Sequence, residues 1–506
     1  MRIGILEILR VGSSKRWDQT AYNYLVTKQY ASIMPQAISV WCRNLGHEVF
    51  YASHFGNGDP KKLLPNDLDV VFISTYTQAS ALAYALAKLY RQEKTLTVMG
   101  GPHAKQFPED CLRFFDIVVR DCDKTLITEI LRDMPRGEIL TSGRILDNIP
   151  GVEERMPEIR GSTFLRGKPF RFTSIPLLTS IGCPSSCDFC IDWDNPYVLL
   201  SLDQLEADMR YIFQHFPKVM ISFHDPNFAV NFEPVFDVLE KIPKRRRNTY
   251  ITETSLSILR GSRLERLKNV GKFYIVPGIE SWTAYSNKVR ASSKITPREK
   301  LEKVIEQFNI MRPYVTGIQA NFIFGLDVDK GDEPVELTKE FASRVPYVMP
   351  NFNIPVPFGN TPLYERLISE GRLLTAMPFT FYYMPYLVYT LKNYSPAVFY
   401  EKLIDMVSHI SSGSMLFKKL RKAPAPFASG YNIVKTLGNR QMIGRLRHIM
   451  NLLNTDKQFR AFHDHETDVL PGFYHRQYES LMGPYASLMS HEERKPILVS
   501  HKEDKV

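Results

Sequence analysis

"PLLTSIGCPSSCDFCIDW", residues 176 to 193, is the stretch on which the fold turns. A short apolar run, "IPLLTS", ends and three cysteines follow within eight residues, at 183, 187 and 190. The apolar run reads as a β-strand, and the C-x₃-C-x₂-C spacing places all three thiols on the loop at its carboxyl end. The chain alternates strand and helix on both sides of this loop, so it marks the seam between two α/β units.

Upstream, "RIGILEI" and "LDVVFIST" are near-continuous apolar runs, as parallel strands covered on both faces require. "ASIMPQAISVWCRNLGHEV" predicts a helix stopping at Gly46 and leading into the strand "EVFYAS". "SALAYALAKLYRQE", "TLTVMGG", "FDIVVR" and "KTLITEILRD" continue as helix, strand, strand and helix. Residues 1–135 are therefore expected to form a doubly wound, Rossmann-like domain with its ligand crevice at the carboxyl ends of the strands. Three loops lie there: 12–19, 74–80 and 100–108. Residues 136–172 are rich in proline, glycine and charge and read as a linker.

Downstream, about six strand–helix units run from residue 173 to 372, through "KVMISFHD", "TYITETS", "KFYIVPGIES", "TGIQANFIFGLD" and "MPNFNIPVP". The fold class is thus α/β, the second domain a partial (β/α)₆ barrel of the TIM type, with its site at the strands' carboxyl ends. Residues 373–506 read as mainly helical and hold many tyrosines.

The 506 residues are too many for a single core, and 44% apolar with 23% charged is ordinary globular composition. The N-terminus reads as a strand, not a signal peptide, and no apolar run reaches membrane-spanning length. Six cysteines, half of them clustered, argue against a secreted disulfide framework and for metal binding in the cytoplasm. The formal charge of +10 draws on "KRRR" (244–247), "FKKLRK" (417–422) and "GRLRH" (444–448). These clusters admit a solvated surface, an acidic partner or peripheral contact with anionic lipid. No nucleic-acid-binding motif accompanies them.

Three readings compete for the cysteines: zinc, buried structural thiols and an iron–sulfur cluster. Structural zinc takes four ligands, and the next histidines are His215 and His224. A cluster suits the compact spacing better. A four-iron cluster on three cysteines leaves one iron open to bind a substrate or cofactor.

C-x₃-C-x₂-C after the first strand of a partial barrel resembles the radical S-adenosylmethionine (SAM) superfamily, in the branch preceded by a cobalamin-binding domain. The resemblance covers about residues 1–375. It implies a [4Fe-4S] cluster on Cys183, Cys187 and Cys190, with SAM chelated by the open iron. It assigns SAM contacts to Phe189, to Asp225 and Asn227 in "SFHDPNF", to Glu280 and Ser281 in "PGIES", and to Asn321 in "NFIFGLD". "PVPFGNTPLYERLISEGRL" (355–373) resembles the segment that closes the barrel in such relatives. Cobalamin contacts are assigned to Ser74, Thr75, Gly100, Gly101 and His103.

There are two departures. The D-x-H-x-x-G motif of the adenosylcobalamin mutases is absent, and "DCDK" (121–124) stands where many relatives have G-E-x-E. The family's chemistry begins with one-electron cleavage of SAM to methionine and a 5′-deoxyadenosyl radical. With cobalamin, this implies C-methylation of an unactivated carbon. Without it, the alternatives are radical cyclisation, oxidation or carbon–carbon coupling, or a non-catalytic redox protein. The expected partners are an electron donor such as flavodoxin or ferredoxin and a small-molecule or lipid-like substrate. The aromatic tail, including "PFTFYYMPYLVYTL", suits a large apolar one. Cys122 and Tyr382 or Tyr383 are candidates to face the corrin and to relay a hydrogen, with core packing the plainer role for each. The pair His463 and His465 reads as a solvated loop.

Overall fold

The computed structural model describes residues 1–12, 17–143, 146, 149–243, 248–283, 295–422 and 426–500. The "KRRR" cluster and part of the 12–19 loop lie outside these residues.

Six parallel strands form the first sheet: β1 (Arg2–Ile8), β2 (Glu48–His54), β3 (Val70–Thr75), β4 (Leu96–Gly100), β5 (Ile117–Val119) and β6 (Glu138–Leu140). Their order is β2-β1-β3-β4-β5-β6, so the winding direction reverses between β1 and β3. Alternate residues explain the apolar runs. Ile3, Ile5, Val70, Phe72 and Val98 pack into a core on one face, while Leu6, Ile8, Val71, Ile73 and Met99 join the main core on the other.

The described residues of the stretch expected to be a linker belong to the folded body. They supply β6 and the helix Met156–Ser162, which is tied to the first domain by buried polar groups. The guanidinium of Arg155 donates to Gln36 Oε1 (2.7 Å), and Glu158 accepts from Ser39 Oγ (2.6 Å) and pairs with Arg43. On the barrel side, Asp208 Oδ1 accepts from the Val152 amide at 2.7 Å.

The second sheet is also parallel. Its strands are β7 (Ser174–Leu177), β10 (Met220–Phe223), β11 (Thr249–Glu253), β12 (Lys272–Val276), β13 (Gly278–Glu280), β14 (Gly317–Ile323) and β15 (Val348–Asn353). β13 resumes the course of β12 after Pro277, and both pair with β14. The path β7-β10-β11-β12-β14-β15 is therefore the six-position partial barrel. Between β7 and β10 lies a small antiparallel pair, β8 (Ser180–Ile181) and β9 (Val198–Leu199). Beyond residue 395 the described residues are mainly helical, with one helix of 30 residues, Pro426–Thr455. The tail returns to the first domain: Lys88 Nζ donates to Leu488 O (2.7 Å), and the Ile497 amide donates to Asp110 Oδ1 (2.7 Å).

Candidate cluster and cofactor site

The pair β8 and β9 pinches the cysteine loop at its base. Gly182 adopts φ +65°, and a Cβ there would sit 2.1 Å from Pro196 O, so only glycine fits the pinch. The Cys183 amide donates to Asn195 O (3.2 Å), the Cys190 amide to Cys187 O (3.1 Å) and the Trp193 amide to Cys190 O (3.1 Å). Cys183 and Cys187 are buried and Cys190 is half-buried. Among the described residues no three Cys, His, Asp or Glu side chains are already gathered at ligand spacing, so the loop presents the thiols without closing them on one point.

The loop is held from outside. Trp193 Nε1 donates to Asn360 O (2.8 Å), and Arg366 Nη1 donates to Asp188 Oδ2 (3.1 Å). Asn360 Nδ2 in turn donates to Lys105 O of the first domain (3.1 Å).

Asp225, expected to face SAM, has a fully buried carboxylate that binds the start of the cysteine loop. Oδ1 accepts from the Thr179 amide (3.1 Å), Thr179 Oγ1 (2.5 Å) and Ser180 Oγ (2.7 Å). Burial pushes this carboxyl above its usual range, while these hydrogen bonds pull it back.

Asn227 is similarly engaged, its Oδ1 accepting from the Ser255 amide (2.9 Å) and Ser255 Oγ (3.0 Å). Ser281 Oγ donates to Asp329 Oδ1 (2.8 Å), and Asp329 Oδ2 accepts from the Gly325 and Leu326 amides. Lys300 Nζ donates to Ile279 O (3.1 Å) and to Ser281 O, and burial lowers this ammonium to about 8. These groups knit the strand ends to one another. Glu280 sits at φ +64° at the end of β13, and Asn321 Oδ1 accepts from Gln319 Nε2 (3.0 Å). Phe189 is half-buried against the core.

A cavity of about 470 Å³ joins the two domains. Ser74, Gly100 and Gly101 of the first sheet line it, and so do Ser180, Gly182 and His224 at the cysteine loop. Gly101 has φ +85°, and a Cβ there would meet Ser74 Oγ at 2.4 Å, so the floor depends on glycine. At the rim, Lys105 Nζ bridges Asp121 Oδ1 (3.1 Å) and Asn195 Oδ1 (3.0 Å). Cys122 lines the cavity, and burial pushes its thiol up to about 12, which keeps it protonated at neutral pH.

Two residues expected in this crevice are elsewhere. Thr75 donates its hydroxyl to Ile8 O (3.0 Å) within the sheet. His103 is fully buried and lies against Phe107 and Phe379. The hydroxyl of Tyr84 lies 2.6 Å from His103 Nε2 and donates to Asp110 (2.7 Å). The chain turns helical at Gly101–Gln106, and that rotation carries the His103 ring away from the cavity into the core.

His463 is corrected as well. It is buried, with Nε2 at 2.8 Å from Tyr474 OH, and only His465 has the expected exposure. Tyr382 is core, packed on Phe107 and Phe379. Lys105, Asn195 and His224 were missed by sequence reasoning. His224 directly precedes Asp225 at a strand end, and that was the one available signal.

Several tyrosines of the first domain lie near Glu253, at the end of β11. Tyr30 stays 60% exposed, yet Tyr22, Tyr76 and Glu253 lie within electrostatic reach of it. Arg10, in turn, stands near Tyr22 and, from the helical region, Tyr383 and Arg445.

The family model described as Radical SAM superfamily matches residues 177–341. The bacteriochlorophyllide d C-8(2)-methyltransferase of Chlorobaculum tepidum is 25% identical over 354 residues, covering 67% of this chain and 76% of that protein. The bacteriochlorophyllide d C-12(1)-methyltransferase of the same organism is 22% identical over 383 residues, covering 71% and 79%. Among solved structures, the radical SAM methyltransferase TsrM of Kitasatospora setae, with cobalamin and a [4Fe-4S] cluster bound, superposes with TM-score 0.52 at 13% identity, covering 74% of this chain and 76% of TsrM. The likeness to TsrM extends the shared fold well beyond the matched domain. The cysteine loop at the mouth of the six-strand parallel barrel thus lies within the segment 177–341 that matches the radical SAM superfamily.

Proposed function

We propose that the protein is a cobalamin-dependent radical SAM methyltransferase acting on an unactivated carbon of an apolar, ring-containing substrate. The observation that carries this reading is the single cavity shared by the β1/β3 switch region and the cysteine loop. Residues of the first sheet and of the cysteine loop would both hold a corrin bound there. The residues suit such occupants. Three thiols on one pinched loop are the donor set of a site-differentiated cluster, and the volume lies in the usual range for ligand pockets, about 300–1,000 Å³.

Cys183, Cys187 and Cys190 would hold the cluster, and Ser74, Gly100 and Gly101 would approach the corrin. Of the residues the resemblance assigns to SAM, Phe189, Glu280 and Asn321 would contact it. When bound, these groups supply a carbon radical on the substrate and a transferable methyl group.

The chain's own residues orient and enclose. Asp225 fixes the start of the cluster loop, Gly182 lets its base close, and Asn360 and Lys105 seal the seam against water. The exposed Tyr22, Tyr30 and Tyr76 suit an apolar substrate, and the two relatives named above are methyltransferases of bacteriochlorophyllide d. The net charge of +10 favours an acidic electron donor such as flavodoxin or ferredoxin.

The test is anaerobic reconstitution with iron, sulfide and hydroxocobalamin, followed by gel filtration and metal analysis. The expected result is about four irons and about one cobalt per chain, and transfer of isotope-labelled methyl from SAM into an apolar extract. Iron without cobalt would overturn the methylase reading and favour radical oxidation or rearrangement.

A further inference from the structure

Between Asp405 and Asp456 the chain carries eight lysines and arginines and no acidic residue. This stretch folds into two packed helices, Gly413–Lys422 and Pro426–Thr455. Their inward stripe is ordinary core: Met415, Ile443, Leu446 and Ile449 are buried. Their outward stripe is not. Phe417 is 66% exposed, Leu437 53%, Val434 50%, Ile433 42% and Leu420 37%. Phe417 and Leu420, and Ile433 and Leu437, are three or four residues apart, so each pair shares a helix face.

Exposed cations flank them: Lys418, Arg421 and Lys422 on the first helix, Arg440, Arg445 and Arg447 on the second. Lys419 does not belong to this face. It is buried, and its Nζ donates to Ile410 O (2.7 Å). Five large exposed apolar side chains ringed by cations, with no acid in the segment, is the composition of an interfacial helix surface.

The charge decides among occupants. A second copy would bring like charges face to face. A nucleic acid would satisfy the cations and leave the aliphatic centre in water. An anionic bilayer meets both, with lipid phosphates for the cations and the acyl boundary for the apolar side chains.

We propose that this helix pair docks the protein on an anionic lipid bilayer. Phe417, Leu420, Ile433, Val434 and Leu437 enter the headgroup region, and Lys418, Arg421 and Lys422 meet lipid phosphates. Arg445, which stands near Arg10 and Tyr383, lies eight residues along the same helix from Leu437, a rise of about 12 Å, so the docked surface lies close to the first domain. This inference does not depend on methyl transfer and is tested separately from it.

The experiment is vesicle flotation of the full-length, cluster-reconstituted protein. The vesicles are phosphatidylcholine alone or with about one-third phosphatidylglycerol, at low and high salt. The protein is expected to float with the anionic vesicles only, and less at high salt. Two variants are compared, Phe417→Asp with Leu437→Asp, and Lys418→Glu with Arg421→Glu and Lys422→Glu. Each is expected to lower the bound fraction by about tenfold or more, with iron content and gel-filtration volume unchanged. The proposal fails if the parent protein stays unbound with anionic vesicles, or if both variants float as it does. It also fails if the parent prefers a short RNA to the vesicles, or if the apolar variant merely turns a dimer into a monomer without altering flotation.

Discussion

Asp225 offers the sharpest test of how the cluster loop is built. Replacing it by alanine removes the acceptor of three buried donors: the Thr179 amide, Thr179 Oγ1 and Ser180 Oγ. Each stranded donor costs about 1–3 kcal/mol, less where a hydroxyl can rotate to a new partner. The expected loss is about 3–5 kcal/mol, concentrated where β7 hands over to the cysteine loop. Asp225→Asn is milder. Its carbonyl oxygen can occupy the Oδ1 position, where all three donors converge, and its amide nitrogen then stands where only the Thr179 amide is approached, at 3.1 Å. That conflict costs about 1–2 kcal/mol.

The assay reads thermal melting, iron content after anaerobic reconstitution, and SAM binding by equilibrium dialysis. Alanine should lower the melting temperature and the iron content together, with asparagine falling between alanine and the parent. If Asp225→Asn melts and loads iron like the parent but no longer binds SAM, the carboxylate contacts SAM directly and the clamp is wrong. If Asp225→Ala retains full iron and full SAM cleavage, neither role stands.

Other outcomes follow from the same geometry. Alanine at Cys183, Cys187 or Cys190 should reduce iron to background and abolish SAM cleavage; cleavage surviving in any one of them would sink the cluster assignment. Gly101→Ala forces a Cβ to 2.4 Å from Ser74 Oγ at φ +85°. It should cost about 1–3 kcal/mol and lower cobalt retention, with parental cobalt loading the contrary result. Glu7 is buried, and desolvation pushes its carboxyl from 4.5 to about 7. The folded state therefore holds this proton more tightly than the unfolded chain, so the group's contribution is full below about 4.5 and is lost as pH climbs to about 7. The difference is worth about 3 kcal/mol. Glu7→Gln should remove that decline, and unfolding curves at pH 5 and 8 that keep the parent's difference would refute it.

The two sheets were legible because strands covered on both faces must be apolar throughout, and "LDVVFIST" leaves β3 little alternative. The cysteine loop was legible because covalent spacing alone brings three thiols onto one loop. Direction was harder to read. His103 follows two glycines at a strand end, as a crevice residue does. The helical turn beginning at Gly101 decides which way its ring points, and nothing in the local spelling encodes that rotation. The stretch 136–172 reads as a linker because its composition is polar. Its helix is anchored by Arg155 and Glu158, whose partners Gln36, Ser39 and Arg43 lie more than a hundred residues earlier. Polar side chains that bury one another across such distances look solvent-exposed in any local window. His463 misleads in the same way, since its partner Tyr474 lies beyond a loop.

The cavity shared by the two sheets has a kinetic consequence. Its walls come from both domains, and its rim is latched by Lys105 to Asn195 and by Asn360 to the backbone of Lys105. An occupant seated there touches both domains, so the rate at which it leaves depends on how firmly the two are latched. Lys105→Ala loosens one latch and should hasten that departure. A release rate unchanged in this variant would show that the latch does not govern it.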